Sequence, residues 1–235
     1  MPKYYPIMLD IRERQALVVG GDGIAAEKAA ALVASGARVS VLNAEFCAAL
    51  LALAEQGQVT LIRKSYEPGD LAGAFVVVAV PGDEQQIEAI WHETQKRGQP
   101  VNIVDVPRYC SFILPSILRR GQLTVAVSTE GASPALAKRI RQQLEAFFPQ
   151  AYGAYIDLAA LARTYLRQQG VSYATRDTFF QNFMNSSILT LLGEGEITQA
   201  LEATTALLHT YGVTVSASEL ERAFGEEQGY VTHGA

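Results

Sequence analysis

A chain of 235 residues, 49% of them hydrophobic, can bury a substantial core, so its composition excludes a disordered chain. Its formal net charge of −5 argues against general nucleic-acid binding, which needs clustered Lys and Arg. Charged residues interrupt the N-terminus and apolar runs stay short, so we expect no signal peptide and no membrane span. We therefore expect a cytoplasmic protein in which Cys47 and Cys110 stay reduced and hold neither a disulfide nor a zinc ion.

Predicted strands and helices alternate over the first hundred residues. Short β-branched runs predict strands over 16–19, 38–42, 59–62, 75–80 and 101–104. Apolar residues at helical spacing predict a helix after the glycines at 20–23, and further helices over 45–56 and 83–97. This alternation is typical of an α/β fold with a doubly wound parallel sheet.

The pattern changes beyond Pro107. A strand is predicted over 123–127, and Ser133-Pro134 should open a helix that Pro149 ends. Residues 152–224 read as helical throughout, with a capping box at Ser216–Glu219 for a last short helix. We expect residues 225–235 to form a loose tail.

A glycine-rich turn lies between the first predicted strand and its helix. Gly21-x-Gly23-x-x-Ala26 fits the dinucleotide fingerprint, in which glycines let backbone N–H groups approach a pyrophosphate. The alternative is a glycine-rich connection that binds nothing. Asn43 and Glu45 follow the second strand, where no arginine is present to bind a 2′-phosphate, so the pattern favours NAD over NADP.

Asp105 directly follows the predicted strand over 101–104, at the edge of the sheet where doubly wound folds bind their ligands. Pro107 and the aromatic segment 109–112 could shield a bound planar molecule. The position suits a working carboxylate, but aspartate also often caps a turn. Spacing alone leaves both interpretations open.

A second polar turn, Val127–Pro134, connects a strand to the capped helix and could present backbone N–H groups to an anion. An ordinary connection is the alternative. Between Val106 and Leu144 the acidic protein concentrates six basic residues against one acidic residue, Glu130. A solvated face is the usual explanation of such a cluster, and a small polyanionic substrate is the functional one. The basic residues are Arg108, Arg119, Arg120, Lys138, Arg139 and Arg141.

The chain resembles the siroheme synthase N-terminal family, whose members are precorrin-2 dehydrogenases and, in some cases, sirohydrochlorin chelatases. Three motifs carry the resemblance: Asn102-Ile103-Val104-Asp105, Cys110–Pro115, and Ser128–Pro134 with the following Ala137–Arg141 segment. The resemblance implies a Rossmann domain over 1–113, a central dimerisation region over 114–148 and a helical domain over 149–235. It also implies a homodimer that oxidises precorrin-2 to sirohydrochlorin with NAD.

The resemblance further implies the roles of individual residues. Asp105 is expected to be catalytic, and one aspartate could serve both dehydrogenation and insertion of Fe²⁺ or Co²⁺ into the tetrapyrrole. No metal-ligand cluster is present in the sequence, so insertion would rely on the tetrapyrrole nitrogens. Expected cofactor contacts are Gly20, Gly21, Asp22, Gly23, Ile24, Ala25, Asn43, Val80 and Pro81. Expected substrate contacts are Asn102, Arg108, Phe112, Ser128, Thr129, Gly131, Ser133 and Lys138.

The chain departs from the family pattern in its glycine turn. The family usually has three successive glycines where this chain has Gly20-Gly21-Asp22, and more often has Ala-Thr-Asp at Val80-Pro81-Gly82. A carboxylate about 4 Å from a pyrophosphate oxygen costs on the order of 4 kcal/mol at an effective dielectric constant of about 20. Either the turn shifts by one residue and leaves Asp22 at a free position, or NAD binding is impaired. Impaired binding would favour a chelatase, and a non-catalytic tetrapyrrole- or nucleotide-binding module is the third alternative.

Overall fold

The computed structural model describes residues 3–80 and 82–232, with side chains described as far as Glu226. The chain forms two compact units that meet in sequence between Leu114 and Pro115. The second unit includes both the expected central region and the expected helical domain. The three-domain division, with boundaries at 113 and 148, stays a prediction.

The first unit is a parallel five-stranded sheet with helices between its strands, so the predicted α/β fold is confirmed. The strand order is β3-β2-β1-β4-β5, which follows the doubly wound order 3-2-1-4-5 and reverses direction between β1 and β4. The elements are β1 (Gln15–Val19), α1 (Gly23–Val33), β2 (Arg38–Asn43), α2 (Ala48–Glu55), β3 (Val59–Arg63), β4 (Val76–Ala79), α3 (Glu84–Arg97) and β5 (Val101–Ile103). A 3₁₀ turn, Pro107–Tyr109, follows β5.

Both faces of this sheet are buried, as its continuous apolar strands predict. Side chains alternate along β1: Ala16 and Val18 pack in one hydrophobic cluster, and Leu17 and Val19 pack in another. Helix α1 covers the first face with its buried alanines, and Ile90 of α3 lies in the second cluster. The sheet is thus a rigid scaffold whose polar groups are concentrated at its two edges.

The helices begin where side chains satisfy their free N–H groups. Asp83 caps α3 by accepting the Gln86 N–H at 2.8 Å, and Gly98, with φ of 66°, ends the helix in the left-handed conformation. The prediction that α2 begins at residue 45 was wrong by three residues, because α2 begins at Ala48. Residues 44–47 instead form a loop that the Cys47 N–H fastens to the Gly21 carbonyl at 2.7 Å.

The second unit begins with an antiparallel hairpin of β6 (Ser116–Arg120) and β7 (Leu123–Val127). Strand β7 was predicted and β6 was not, because Pro115 and two arginines interrupt the apolar pattern of its segment. Six helices follow: α4 (Pro134–Phe147), α5 (Ala151–Gln168), α6 (Tyr173–Met184), α7 (Ile188–Glu194), α8 (Ile197–Thr210) and α9 (Ala217–Thr232). No helix in the described part of the chain is long and apolar enough to cross a membrane.

Helices α5 to α9 share one hydrophobic core that includes Leu158, Phe179 and Leu208. The predicted capping box is present, since the Ser216 N–H donates to Glu219 Oε2 at 2.8 Å and the Glu219 N–H donates to Ser216 Oγ at 3.2 Å. The predicted loose tail was wrong through residue 232, because α9 continues to Thr232. Three good helix formers at 226–228 follow Gly225, and no proline follows to stop the helix. Residues 233–235 lie outside the described residues.

Gly21 is the point where the β2–α2 loop meets the turn after β1. A Cβ atom at Gly21 would lie 2.0 Å from the Glu45 carbonyl oxygen and 2.3 Å from Asn43 Nδ2. At Gly23, by contrast, a Cβ atom would meet nothing within 4 Å. Only the first of these two glycines is therefore required by packing.

This contrast predicts opposite effects of two alanine substitutions on the free energy of unfolding. Gly21→Ala forces the β2–α2 loop away and should lower stability by about 1–3 kcal/mol. Gly23→Ala lies in open space at the start of a helix and should raise stability by about 0.5 kcal/mol. Urea unfolding of both variants measures the difference, and equal effects would contradict the packing described here.

Candidate functional site

A cleft of about 520 Å³ opens at the carboxyl edge of the sheet, beside the ends of β1 and β4. These neighbouring strands form the switch point of the strand order, where open α/β sheets bind ligands. Gly20 follows β1 with φ of 147°, and a Cβ atom there would lie 3.0 Å from Val80 Cβ. Glycine at this position therefore lets the backbone pass close to Val80, which also lines the cleft. Pro81, an expected cofactor contact, lies outside the described residues.

Asp22 is exposed, and its carboxylate caps the N-terminus of α1. Its Oδ1 accepts the Ala25 N–H at 2.9 Å, and its carbonyl accepts the Ala26 N–H at 3.0 Å. The N–H groups of Gly23 and Ile24 belong to the first turn of the helix, where intrahelical acceptors are lacking. The helix terminus therefore offers two N–H groups to an anion, while a carboxylate already occupies the third.

The cleft carries negative charge. Asp22 and Glu45 line it, and none of its described lining residues is basic. Asn43 also lines it, with Nδ2 donating to the Glu45 carbonyl at 2.6 Å. The glycine cradle and the free N–H groups fit a pyrophosphate, but a third phosphate would meet carboxylates and no cation. The expected Ala25 contact has its N–H engaged by Asp22 and its side chain in the core.

Asp105 lies in a tight turn after β5, at the same edge of the sheet. The Val106 N–H donates to the Ile103 carbonyl at 3.2 Å, and Asp105 has φ of 60°. Left-handed backbone is adopted by glycine and, less often, by asparagine or aspartate, and it costs most other residues roughly 1–2 kcal/mol. Asp105 is exposed, and no hydrogen-bond or ion-pair partner of its carboxylate is found among the described side chains. The turn thus presents an available carboxylate.

Cys110, which sequence reasoning left without a role, holds this turn. Its Sγ lies 3.2 Å from both the N and the O atoms of Ile103 and 3.4 Å from the Val106 carbonyl. Burial raises the pKa of the thiol, so it stays protonated and can donate to a carbonyl while accepting the Ile103 N–H. These contacts join Cys110 to residues seven and four positions earlier, and no local sequence signal marks them.

Of the other expected substrate contacts in the first unit, two make structural contacts within that unit and one is exposed. Asn102 Nδ2 donates to the Phe112 carbonyl at 3.0 Å and ties that segment to β5. Phe112 packs partly buried beside the hydrophobic cluster on one face of the sheet. Arg108 is exposed, pairs with Glu84 at 3.1 Å, and lies 4.8 Å from the centre of the Tyr109 ring. Of these three side chains Arg108 is exposed, while Asn102 and Phe112 are half-buried.

The polar turn between β7 and α4 belongs to the second unit. Ser128 Oγ accepts the Glu130 N–H at 3.0 Å, and Thr129 Oγ1 accepts the Ser133 N–H at 3.0 Å. Ser133 caps α4 as predicted, with Oγ accepting the Leu136 N–H at 3.3 Å. Gly131 has φ of 86°, which a glycine adopts readily. The three hydroxyl groups therefore form hydrogen bonds within the loop and at the start of α4. Lys138, further along α4, is exposed.

In the described part of the chain no three His, Cys, Asp or Glu side chains are close enough together to hold a metal ion. The first unit brings the glycine turn, Val80 and Asp105 to one edge, with the ends of β1 and β5 two strand spacings apart, or about 10 Å. Residues 128–138, which include the other expected substrate contacts, belong to the second unit.

Comparison with known proteins agrees with this architecture. An NAD(P)-binding family model matches residues 7–116, and the model of the sirohaem biosynthesis protein central region matches residues 120–146. The first unit is thus an NAD(P)-binding domain of the Rossmann class.

Relatives and a solved structure identify the family. The siroheme synthase of Nitrosococcus oceani is 36% identical over 206 residues, covering 88% of this chain and 44% of that protein. The siroheme synthase of Mannheimia succiniciproducens is 36% identical, covering 84% of this chain and 41% of that protein. The structure of SirC, a precorrin-2 dehydrogenase, is 27% identical with a TM-score of 0.70, covering 85% of this chain and 100% of that chain. The chain belongs to the siroheme synthase N-terminal family, and it spans less than half the length of these two siroheme synthases.

Replacing Asp22 with asparagine removes the negative charge but keeps a side chain that can cap α1, so the two effects can be measured apart. Asn caps helices about as well as Asp, so Asp22→Asn should keep the free energy of unfolding within about 1 kcal/mol. Removing the carboxylate from beside a pyrophosphate should tighten NAD binding by at least about fivefold. Calorimetric titration measures the affinity. Asp177→Asn, an exposed change of equal charge on α6, is the control, and an unchanged affinity of Asp22→Asn would contradict the described geometry.

The raised pKa of Cys110 predicts how its thiol reacts. Because the thiolate is the reactive form and burial disfavours it, alkylation of Cys110 by iodoacetamide should be slow at neutral pH and accelerate towards alkaline pH. Mass spectrometry of peptides from native and denatured protein measures the rate. An alkylation rate in the native protein equal to the denatured rate at neutral pH would contradict a half-buried, hydrogen-bonded thiol.

Proposed function

We propose that this protein oxidises precorrin-2 to sirohydrochlorin with NAD in siroheme biosynthesis. Family membership and the likeness to a precorrin-2 dehydrogenase support the reaction. The observation that carries the proposal is Asp105, an unpaired aspartate with φ of 60° at the same edge of the sheet as the cofactor cleft. Left-handed backbone suits glycine, asparagine or aspartate, and of these three only aspartate supplies a carboxylate.

The reaction removes two electrons and two hydrogens from the tetrapyrrole. Bound NAD would supply the acceptor for the hydride, which carries both electrons and one of the two hydrogens. The second hydrogen leaves as a proton, and the Asp105 carboxylate accepts or directs it. A positioned base of this kind typically contributes about 10²–10⁴-fold to the rate. Cys110 fixes the turn that carries the base, through its contacts with Ile103 and Val106.

The remaining residues bind the two ligands. We assign the pyrophosphate to Gly20, Gly21 and the N–H groups of Gly23 and Ile24, with Asn43 and Val80 lining the cofactor cleft. The acidic lining supports NAD over NADP. Arg108, Lys138 and the polar turn from Ser128 to Ser133 are assigned to the carboxylates of the tetrapyrrole. Arg108 and Lys138 are exposed and positively charged, as this role needs.

We further propose a homodimer that forms through residues 114–148. Ile117 and Leu136 are 41% and 49% exposed in the single chain, and both belong to this region. Burial of such side chains against a second copy would favour association. A cytoplasmic location stays the prediction drawn from the sequence.

Asp22 favours a second candidate function, the insertion of Fe²⁺ or Co²⁺ as substrate into sirohydrochlorin. A carboxylate at the helix terminus opposes pyrophosphate binding, so dehydrogenation is the step it weakens. Insertion needs pyrrole protons removed, for which Asp105 is also suited. In this case the chain would insert metal while producing little NADH.

Anaerobic incubation with precorrin-2 and NAD, followed by absorbance spectroscopy, tests the proposal. We expect NADH and the spectrum of sirohydrochlorin to appear together. Metal insertion into sirohydrochlorin without NADH formation would select the second function. Tight ligand binding with neither activity would indicate a non-catalytic binding module, and either outcome would contradict the dehydrogenase.

Asp105→Asn separates catalysis from folding. Asparagine accepts left-handed backbone at least as readily as aspartate, so the free energy of unfolding should change by less than about 0.5 kcal/mol. Loss of the base should lower the rate of NADH formation by about 10²–10⁴-fold. Urea unfolding and anaerobic kinetics measure the two effects. A variant that folds and retains the full rate would remove Asp105 from the mechanism.

A further inference from the structure

A second cleft, of about 640 Å³, lies at the opposite edge of the sheet, where the strands begin. Gln15 and Arg38 are the first residues of β1 and β2, Phe75 precedes β4, and Gln99 precedes β5. Its volume lies within the range of small-molecule sites. We propose that this cleft, here named the amino-edge cleft, binds a small anion that carries two or more carboxylate or phosphate groups.

The charge of the amino-edge cleft is opposite to that of the protein. Arg14, Arg38 and Arg97 line it with one carboxylate, Glu13, in a chain whose formal net charge is −5. The three guanidinium groups come from β2, α3 and the residue before β1, which are far apart in sequence. Planar guanidinium groups bind carboxylate and phosphate through paired N–H donors.

Two of the arginines are held in place without losing their capacity to bind a ligand. The Arg14 guanidinium lies 4.3 Å from the centre of the Phe75 ring, and none of the described side chains forms an ion pair with it. Arg38 donates its Nε–H to the Glu13 carbonyl at 3.0 Å, while the Glu13 carboxylate lies 4.0 Å away. Orienting a flexible side chain in advance lowers the entropic cost of binding.

The usual alternative explanation is that basic residues at this edge serve the carboxyl ends of α1 and α3. Backbone groups already satisfy those helix ends. The N–H groups of Gly98 and Gln99 donate to carbonyls of α3, and the N–H groups of Gly36 and Ala37 donate to carbonyls of α1. The hydrogen bonds of Arg38 and Arg97 go to Glu13 and Glu93 instead. The arginines are therefore not required to cap these helices.

Gln99 supplies a second, independent observation. This side chain lines the cleft, is only 9% exposed, and donates through Nε2 to the carbonyls of Leu71 and Ala74 at 2.7 and 2.6 Å. Its Oε1 is buried without a hydrogen-bond partner among the described residues. An unpaired buried acceptor is costly, and since this oxygen has almost no accessible surface, a ligand O–H or N–H donor would satisfy it through a small shift of the Gln99 side chain on binding. The chemistry thus points to an acid that also carries a donor.

Citrate is a suitable probe because it combines several carboxylates with a hydroxyl group, and inorganic pyrophosphate tests the phosphate class. Titration of the full chain at low salt, followed by NMR, should shift the backbone amides of Gln15, Gly73 and Gln99, which line the amino-edge cleft. Shifts confined to Gly23 and Ile24 would place the anion at the glycine turn and overturn the proposal. The absence of any shift at millimolar citrate and pyrophosphate would also overturn it.

Charge variants with opposite expected effects keep the test decisive. Arg14→Gln should weaken citrate binding by about fivefold, and Glu13→Gln should tighten it by a similar factor, as expected for one charge about 4 Å from the ligand. Arg12→Gln is the matched control, since this exposed arginine pairs with Asp10 and does not line the cleft. Equal effects of Arg14→Gln and Arg12→Gln would overturn the proposal, because they would indicate binding by net charge alone.

Discussion

The hydrogen bond from the Ala25 N–H to the Asp22 carboxylate is the interaction on which the cofactor half of this protein depends. It fixes where α1 begins and how the turn after β1 meets the helix. It also gives one carboxylate two conflicting effects, since the charge that stabilises a helix terminus opposes a pyrophosphate at the same terminus. The protein therefore combines an intact glycine cradle with an acidic cofactor cleft.

The two clefts lie at opposite edges of the sheet. At the carboxyl edge, the turns after β1, β4 and β5 bring together the glycine cradle, Val80 and Asp105. At the amino edge, arginines from several elements surround a second cleft. A sheet buried on both faces can hold these two sets of groups in fixed positions, since its strands have little freedom to move. The two proposed sites thus lie at opposite ends of one sheet.

Much of this fold could be predicted from local patterns, because β-branched strands, capped helices and glycine turns are specified by residues close in sequence. The position of Asp105 after β5 was predicted in this way. Its left-handed backbone and the Cys110 contacts were not, because they depend on atoms brought together by the turn itself. The cap made by Asp22 was also missed, since the same residues fit a fingerprint in which the acidic position is free. The amino-edge cleft depends on arginines distant in sequence, which no local motif connects.

The stoichiometry of a single anaerobic turnover tests the central claim most directly. Protein, precorrin-2 and excess NAD are mixed, and NADH and sirohydrochlorin are followed together by absorbance. The account predicts one NADH for each sirohydrochlorin formed, with both signals rising at the same rate. Sirohydrochlorin formed without NADH, or neither product from a folded protein saturated with NAD, would contradict it.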